Sequence, residues 1–192
     1  MKITIITLLF ALASSFSYSQ QVSDVNFSDA LPATNGMPEL TLNGASLREL
    51  YLLIETYAGA LYLENTSHDA AEIIESIQYK KMVFHVLMKK VSARRLSNAL
   101  EEALVLNISK EQYSQIQPAV EQMLSYFTGN ILKGETVEFN YIPGKGTDVI
   151  ISGALQGRIK GKEYFDSMLK VWIGEYPVTR EFKNQVLGSI DL

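Results

Sequence analysis

The chain has 192 residues, of which 47% are hydrophobic and 20% charged, with a formal net charge of −4. This is enough apolar material for a domain with a substantial core. The acidic balance argues against nucleic acid or an anionic membrane surface as the main partner. The absence of cysteine excludes disulfides, thiolate nucleophiles and cysteine-based metal sites. His68 and His85 make no ligand motif, so neither a metal nor a cofactor is expected.

At the N-terminus Lys2 precedes an apolar run from Ile3 to Ala13, followed by Ser14-Ser15-Phe16-Ser17-Tyr18-Ser19-Gln20. A positive start, a short apolar stretch and small residues at Ser17 and Ser19 predict a secretory signal peptide over residues 1–19. The apolar run is short for a membrane span, so no transmembrane anchor is expected after cleavage. The mature protein would then be a single domain over residues 20–192, exported, and periplasmic in a Gram-negative cell. Without cysteine its stability would rest on packing alone.

From Gln20 to Pro38, loose alternation of Val22, Val25 and Phe27 predicts a short edge strand, and Pro32, Asn35-Gly36 and Pro38 a loop. Glu39 to Asn43 alternates as a half-buried strand, and Asn43-Gly44 reads as a hairpin turn. The stretch Leu42 to Glu64 follows, almost continuously apolar from Leu47. Periodicity cannot separate strand from helix here, but Tyr51, Ile54, Thr56, Tyr57 and Tyr62 favour one long strand, with Gly59 at a bend or bulge. His68-Asp69 opens a short helix, and Tyr79 to Met88 reads as a strand. Ser92 caps a helix to Asn107, and Ser109 caps another, which Pro118 should kink or split and Gly129 ends. Glu135–Ile142, Thr147–Ser152 and Ala154–Ile159 form an antiparallel meander, turning at Pro143-Gly144-Lys145-Gly146. Helices over Lys162–Ile173 and after Thr179 complete the chain. The order is α+β: a large antiparallel sheet with helices packed on one face.

Arg48 is the residue that scaffold alone does not explain. As a surface or edge arginine it would pair with Glu49, Glu55 or a loop carboxylate. At the floor of an apolar cavity it would receive a carboxylate, which its planar fork holds bidentately. Tyr57 is the natural second donor to that anion. In one uninterrupted strand the two fall on opposite faces, so a bulge or bend must intervene for them to converge. His85, between Phe84 and Val86, reads as a packed core histidine. Gly144-Lys145-Gly146 lacks the context of a phosphate loop, and Glu101-Glu102 read as a solvated helix face.

The segments LNGASLRE (Leu42 to Glu49), YAGALYLE (Tyr57 to Glu64), FHVLMKKVSARRLSNAL (Phe84 to Leu100), FNYIPGKGTDVIISG (Phe139 to Gly153) and VWIGEYPVT (Val171 to Thr179) together resemble the chalcone isomerase-like family, in particular its exported bacterial members. The resemblance implies an open-faced β-sandwich, a large antiparallel sheet and a helical layer with a cleft between them. It also implies one of two functions: ring closure of an enone by an intramolecular lyase, or non-catalytic fatty-acid binding. Arg48 falls at the family arginine, and Tyr57 stands where the isomerases carry threonine, as in the fatty-acid-binding branch. Asn98 matches an isomerase asparagine. Val91 replaces the isomerases' helix-borne tyrosine, and Val171 their late pocket hydroxyl. The expected ligand site is therefore Arg48, Tyr57 and Asn98, with Arg48 the catalytic candidate if the protein is an isomerase. The expected partner is a small amphipathic carboxylate. An interaction protein whose cleft is filled by its own side chains is the third reading.

Overall fold

The structure is a computed structural model and describes residues 19–34, 36–51 and 53–189. The expected signal peptide lies, except for Ser19, outside the described residues. In chain order come β1 (Ser19–Val22), β2 (Val25–Ser28), β3 (Ala30–Leu31), β4 (Leu40–Leu50), β5 (Ile54–Leu63), α1 (Ala70–Glu75), β6 (Lys80–Val86), β7 (Lys90–Ser92), α2 (Ala93–Asn107) and α3 (Lys110–Ser125). They are followed by β8 (Asn130–Leu132), β9 (Thr136–Ile142), β10 (Gly146–Ile151), β11 (Ala154–Ile159), α4 (Lys162–Ile173) and α5 (Arg180–Val186).

Seven strands form an antiparallel sheet in the order β11-β10-β9-β6-β5-β4-β3. The helices lie on one face of this sheet, over a core that includes Leu61, Met82, Phe84, Phe139, Phe165, Leu169, Trp172 and Phe182. The opposite face of β4, β5 and β6 has its own cluster, in which Val22 and Phe27 of the β1–β2 hairpin cover Ala45, Ala58, Ala60 and Val83. Apolar residues on both faces explain why the central strands read as unbroken hydrophobic runs. A short ribbon of β7 and β8, without a clear sequence signal, ties the start of α2 to the segment after α3.

The helix starts follow the capping rules. Ser92 accepts from the Arg95 amide, and Ser109 and Gln112 form a reciprocal capping box. Pro118 sits inside α3 without splitting it. Pro118 and Ser114, whose carbonyl loses its usual donor, both face solvent, where water can take the amide's place.

Two expectations about the central stretch are corrected. Leu42 to Glu64 is not one strand but most of a hairpin, in which β4 ends at Leu50 and β5 begins at Ile54. Asn43-Gly44 is not a turn. Leu42 pairs with Tyr62 and Gly44 with Leu61, which leaves Asn43 as an extra residue, a β-bulge inside β4. The Asn43 amide donates to the Val186 carbonyl at 2.9 Å and accepts from the Ser67 amide at 2.9 Å. Gly44 meets the end of α5 so closely that a Cβ there would lie 2.1 Å from the Gln185 carbonyl oxygen. The Asn-Gly pair thus serves a bulge and a close approach, two uses that share the same residue preference with a hairpin turn.

Candidate functional site

Arg48 of β4 and Tyr57 of β5 are direct cross-strand partners. Residues opposite each other in an antiparallel pair project to the same face. The hairpin turn between them removes the parity conflict that a single strand would impose. A second bulge lies beside them. Arg48 pairs with Tyr57 and Glu49 with Glu55, so Thr56 is the extra residue, and its hydroxyl donates to the Arg48 carbonyl at 2.6 Å.

The shared face is the helical one. Going down the sheet from Arg48 and Tyr57, the next pair is Ser46 and Gly59. The Ser46 hydroxyl donates to Gln185 Oε1 at 2.7 Å. A Cβ on Gly59 would lie 2.7 Å from the Phe182 ring. The Tyr57 ring stands edge-on to Phe84 at 5.2 Å and to Phe182 at 5.8 Å between centroids, and Phe84 lies 4.7 Å from Trp172. The cleft between sheet and helices is therefore lined, and in this structure occupied, by aromatic rings.

Its polar end is small. The Trp172 Nε1–H donates to the Tyr57 hydroxyl at 3.1 Å. Burial pushes the Tyr57 phenol up to about 12, while the Trp172 bond and the Arg48 charge pull in the other direction. The phenol therefore keeps its proton at neutral pH. Trp172 occupies one acceptor position of that oxygen, and no described acceptor takes its proton. The half-buried Arg48 guanidinium donates to the Glu49 carbonyl oxygen. None of the four ion pairs among the described residues includes it. Glu55, one partner expected of a surface arginine, accepts instead from Ser23. Two donors, one of them permanently charged, thus meet at the rim of an apolar layer.

The structure does not bring Asn98 to this point. Asn98 is exposed on α2, where it lines a shallow groove of about 580 Å³ with Glu101, Glu102, Val105 and Leu106. Val91 is half-buried in β7, and Val171 is buried in α4. His85 faces the outer layer, edge-on to Phe27 at 5.3 Å, and burial pushes its pKa down against the opposing pull of Glu138. Trp172, read from sequence as core and pocket wall, is also the hydrogen-bond partner of Tyr57. No local signal marks a contact across 115 positions. Among the described residues, no three His, Cys, Asp or Glu side chains gather to hold a metal ion.

A family model described as chalcone isomerase-like matches residues 19–188. The chain belongs to that family. Among solved structures, this chalcone isomerase-like protein is similar to an Arabidopsis thaliana fatty-acid binding protein, with a TM-score of 0.69 and 21% sequence identity. The likeness covers 88% of this chain and 96% of that one. At this identity it establishes a shared chalcone isomerase-type fold, the α+β sheet-and-helix layer described above. No curated protein matches the chain.

Proposed function

We propose that this protein binds a fatty acid or similar amphipathic carboxylate without transforming it, with Arg48 and Tyr57 at the polar end of the cleft. One observation carries the reading: the two donors are paired on the helical face, and no described carboxylate neutralises the arginine. A guanidinium fork with a protonated phenol beside it is a receptor for a carboxylate. The aromatic layer below suits an acyl chain, and sites of this kind are mostly apolar with few convergent polar groups. The fold shared with a fatty-acid binding protein supports it. So does the scarcity of other polar groups, because enone cyclisation needs a polarised carbonyl and a poised phenolate. The leader-like composition of residues 1–19 supports export as the setting.

Native mass spectrometry of the purified protein, before and after addition of oleate, tests this reading. The expected result is a bound carboxylic acid that Arg48→Ala no longer retains. Turnover of a chalcone abolished by Arg48→Ala would overturn it in favour of an isomerase.

The ring packing of Tyr57, Phe84, Trp172 and Phe182 favours a second reading, an interaction protein with a permanently filled cleft. Oleate that never binds, at any concentration below its micellar range, would select that reading.

A further inference from the structure

The tip of the β4–β5 hairpin departs from what a tight turn requires. The Leu53 amide donates to the Leu50 carbonyl at 3.2 Å, which closes a turn with Tyr51 in its first central position at a φ of +55°. Glycine, asparagine and aspartate ordinarily fill such positions, and a bulky aromatic there carries a backbone cost. Tyr51 and Leu53 are each 87% exposed, Ile54 47% and Leu50 37%. Four large apolar side chains therefore project from one narrow point.

A basic segment leaves the sheet beside the base of this hairpin. The Leu87 and Met88 amides donate to the Thr56 carbonyl, so the chain after β6 leaves beside the start of β5. It continues into exposed Lys89 and Lys90, and the Lys133 amide bonds back to the Lys89 carbonyl. Arg94 and Arg95, also exposed, follow in the first turn of α2. Leu132, the partner of Lys90 in the ribbon, adds another apolar side chain, 51% exposed. Of the acids near this end, Asp24 is paired with Lys133, Glu55 accepts from the Ser23 hydroxyl, and Glu135 accepts from the Leu132 amide. Glu49 is half-buried. Arg48, Lys89, Lys90, Lys133, Arg94 and Arg95 outnumber Asp24, Glu49, Glu55 and Glu135, so the balance here is positive although the whole chain is acidic.

We infer that this tip docks on the surface of an anionic lipid bilayer. Leu50, Tyr51, Leu53 and Ile54 enter the boundary between headgroups and acyl chains, and Lys89, Lys90, Lys133, Arg94 and Arg95 meet the headgroup charge. A two-strand tip is too narrow for the ~800 Å² per partner of a standard protein interface, but it matches a shallow insertion. Arg48 lies two positions before Leu50 on β4, so docking holds the rim of the cleft at headgroup level. The inference goes beyond ligand binding and is independent of it, because vesicle binding is measured without added fatty acid.

Flotation with vesicles of phosphatidylglycerol and phosphatidylcholine in equal parts, against phosphatidylcholine alone, tests it. The purified protein is expected to float with the anionic vesicles only, and added salt should weaken the association. The double variant Tyr51→Asn, Leu53→Glu should lose about tenfold or more in binding, and Lys89→Glu with Lys90→Glu should also weaken it. Since the chain lacks cysteine, Leu53→Cys can carry a single environment-sensitive dye, with exposed Ile77→Cys at the far end of the sheet as control. A blue shift at position 53 and none at 77 is expected on anionic vesicles. Protein that stays free, equal floating of the tip variant, a dye at 53 indifferent to vesicles, or capture of a protein by the tip without vesicle binding would each overturn the inference.

Discussion

Arg48 and Tyr57 stand directly opposite each other on β4 and β5 and share the helical face of the sheet. Neither has a carboxylate partner among the described residues. If this pair receives an acid, the two side chains contribute unequally. Arg48→Ala removes a charge-assisted bidentate contact, and a charged hydrogen bond contributes about 1.5–3 kcal/mol. Oleate affinity, measured by isothermal titration calorimetry, should fall between about tenfold and a hundredfold. Tyr57→Phe should cost about 1 kcal/mol, and Arg48→Lys should restore only part of the loss because an ammonium lacks the fork. Equal affinities across the set would show that the acid binds elsewhere.

Trp172 is the single tryptophan of the chain, and its N–H is bonded to the Tyr57 hydroxyl. A ligand that enters this layer must disturb its surroundings. Titration with oleate should therefore change tryptophan emission saturably, and the change should be lost in Arg48→Ala. An emission spectrum indifferent to ligand would support the filled-cleft reading.

Gly44 lies against the Gln185 carbonyl, so even a methyl group forces backbone to move. Gly44→Ala should destabilise the fold by about 1–3 kcal/mol, as overpacking does. In thermal unfolding this corresponds to about 2–4 °C for each kcal/mol in a chain of this size. An unchanged midpoint would mean that α5 does not seat on β4 as described.

The Lys80 side chain is buried and donates to the Ile74 carbonyl at 2.9 Å. Burial, with repulsion from Lys162, pushes its pKa down to about 8, partly offset by Asp166. Between about 8 and the unfolded lysine value near 10.5, the unfolded chain binds more protons than the folded one, so stability should rise with pH in that window. Tyr57, Tyr62 and Tyr113 behave oppositely: each is raised to about 12, so their contribution is complete below about 10 and lost between 10 and 12. Urea unfolding should show stability rising from pH 8 toward 10 and falling above it. Lys80→Met should abolish the rise and leave the fall. A variant that kept the full slope would assign the rise to another group.

Much of the fold was legible because its signals are local. Ser92, Ser109 and Thr179 cap the helices they were expected to cap, and Glu135 to Ile159 alternates through the meander found in β9 to β11. The central hairpin was obscured for physical reasons. Both its faces are covered, which erases alternation, and a bulge on each strand, at Asn43 and at Thr56, shifts what alternation remains. Its turn contains Tyr51 where a glycine or asparagine would have announced it. Arg48 and Tyr57 were found as residue types, but their pairing depended on the unseen turn. Asn98, carried over from resemblance, lies exposed on α2 because a position in an alignment does not fix which way a helix face points.

The polar attachments of α5 to the rest of the molecule have a mechanical consequence. Asn43 and Ser46 hold Val186 and Gln185, and His68 contacts the Leu187 carbonyl, so its C-terminal end is fastened to the sheet side of the molecule. In the same last turn Lys183 is tied to Gly174, at the close of α4, the Val178 amide before α5 donates to the Val171 carbonyl at 2.9 Å, and Phe182 packs on Tyr57 and over Gly59. Through α5 the Asn43 bulge of β4 is thus joined to the end of α4 that holds Trp172, so a change at the bulge is passed by directed bonds to the partner of the Tyr57 hydroxyl.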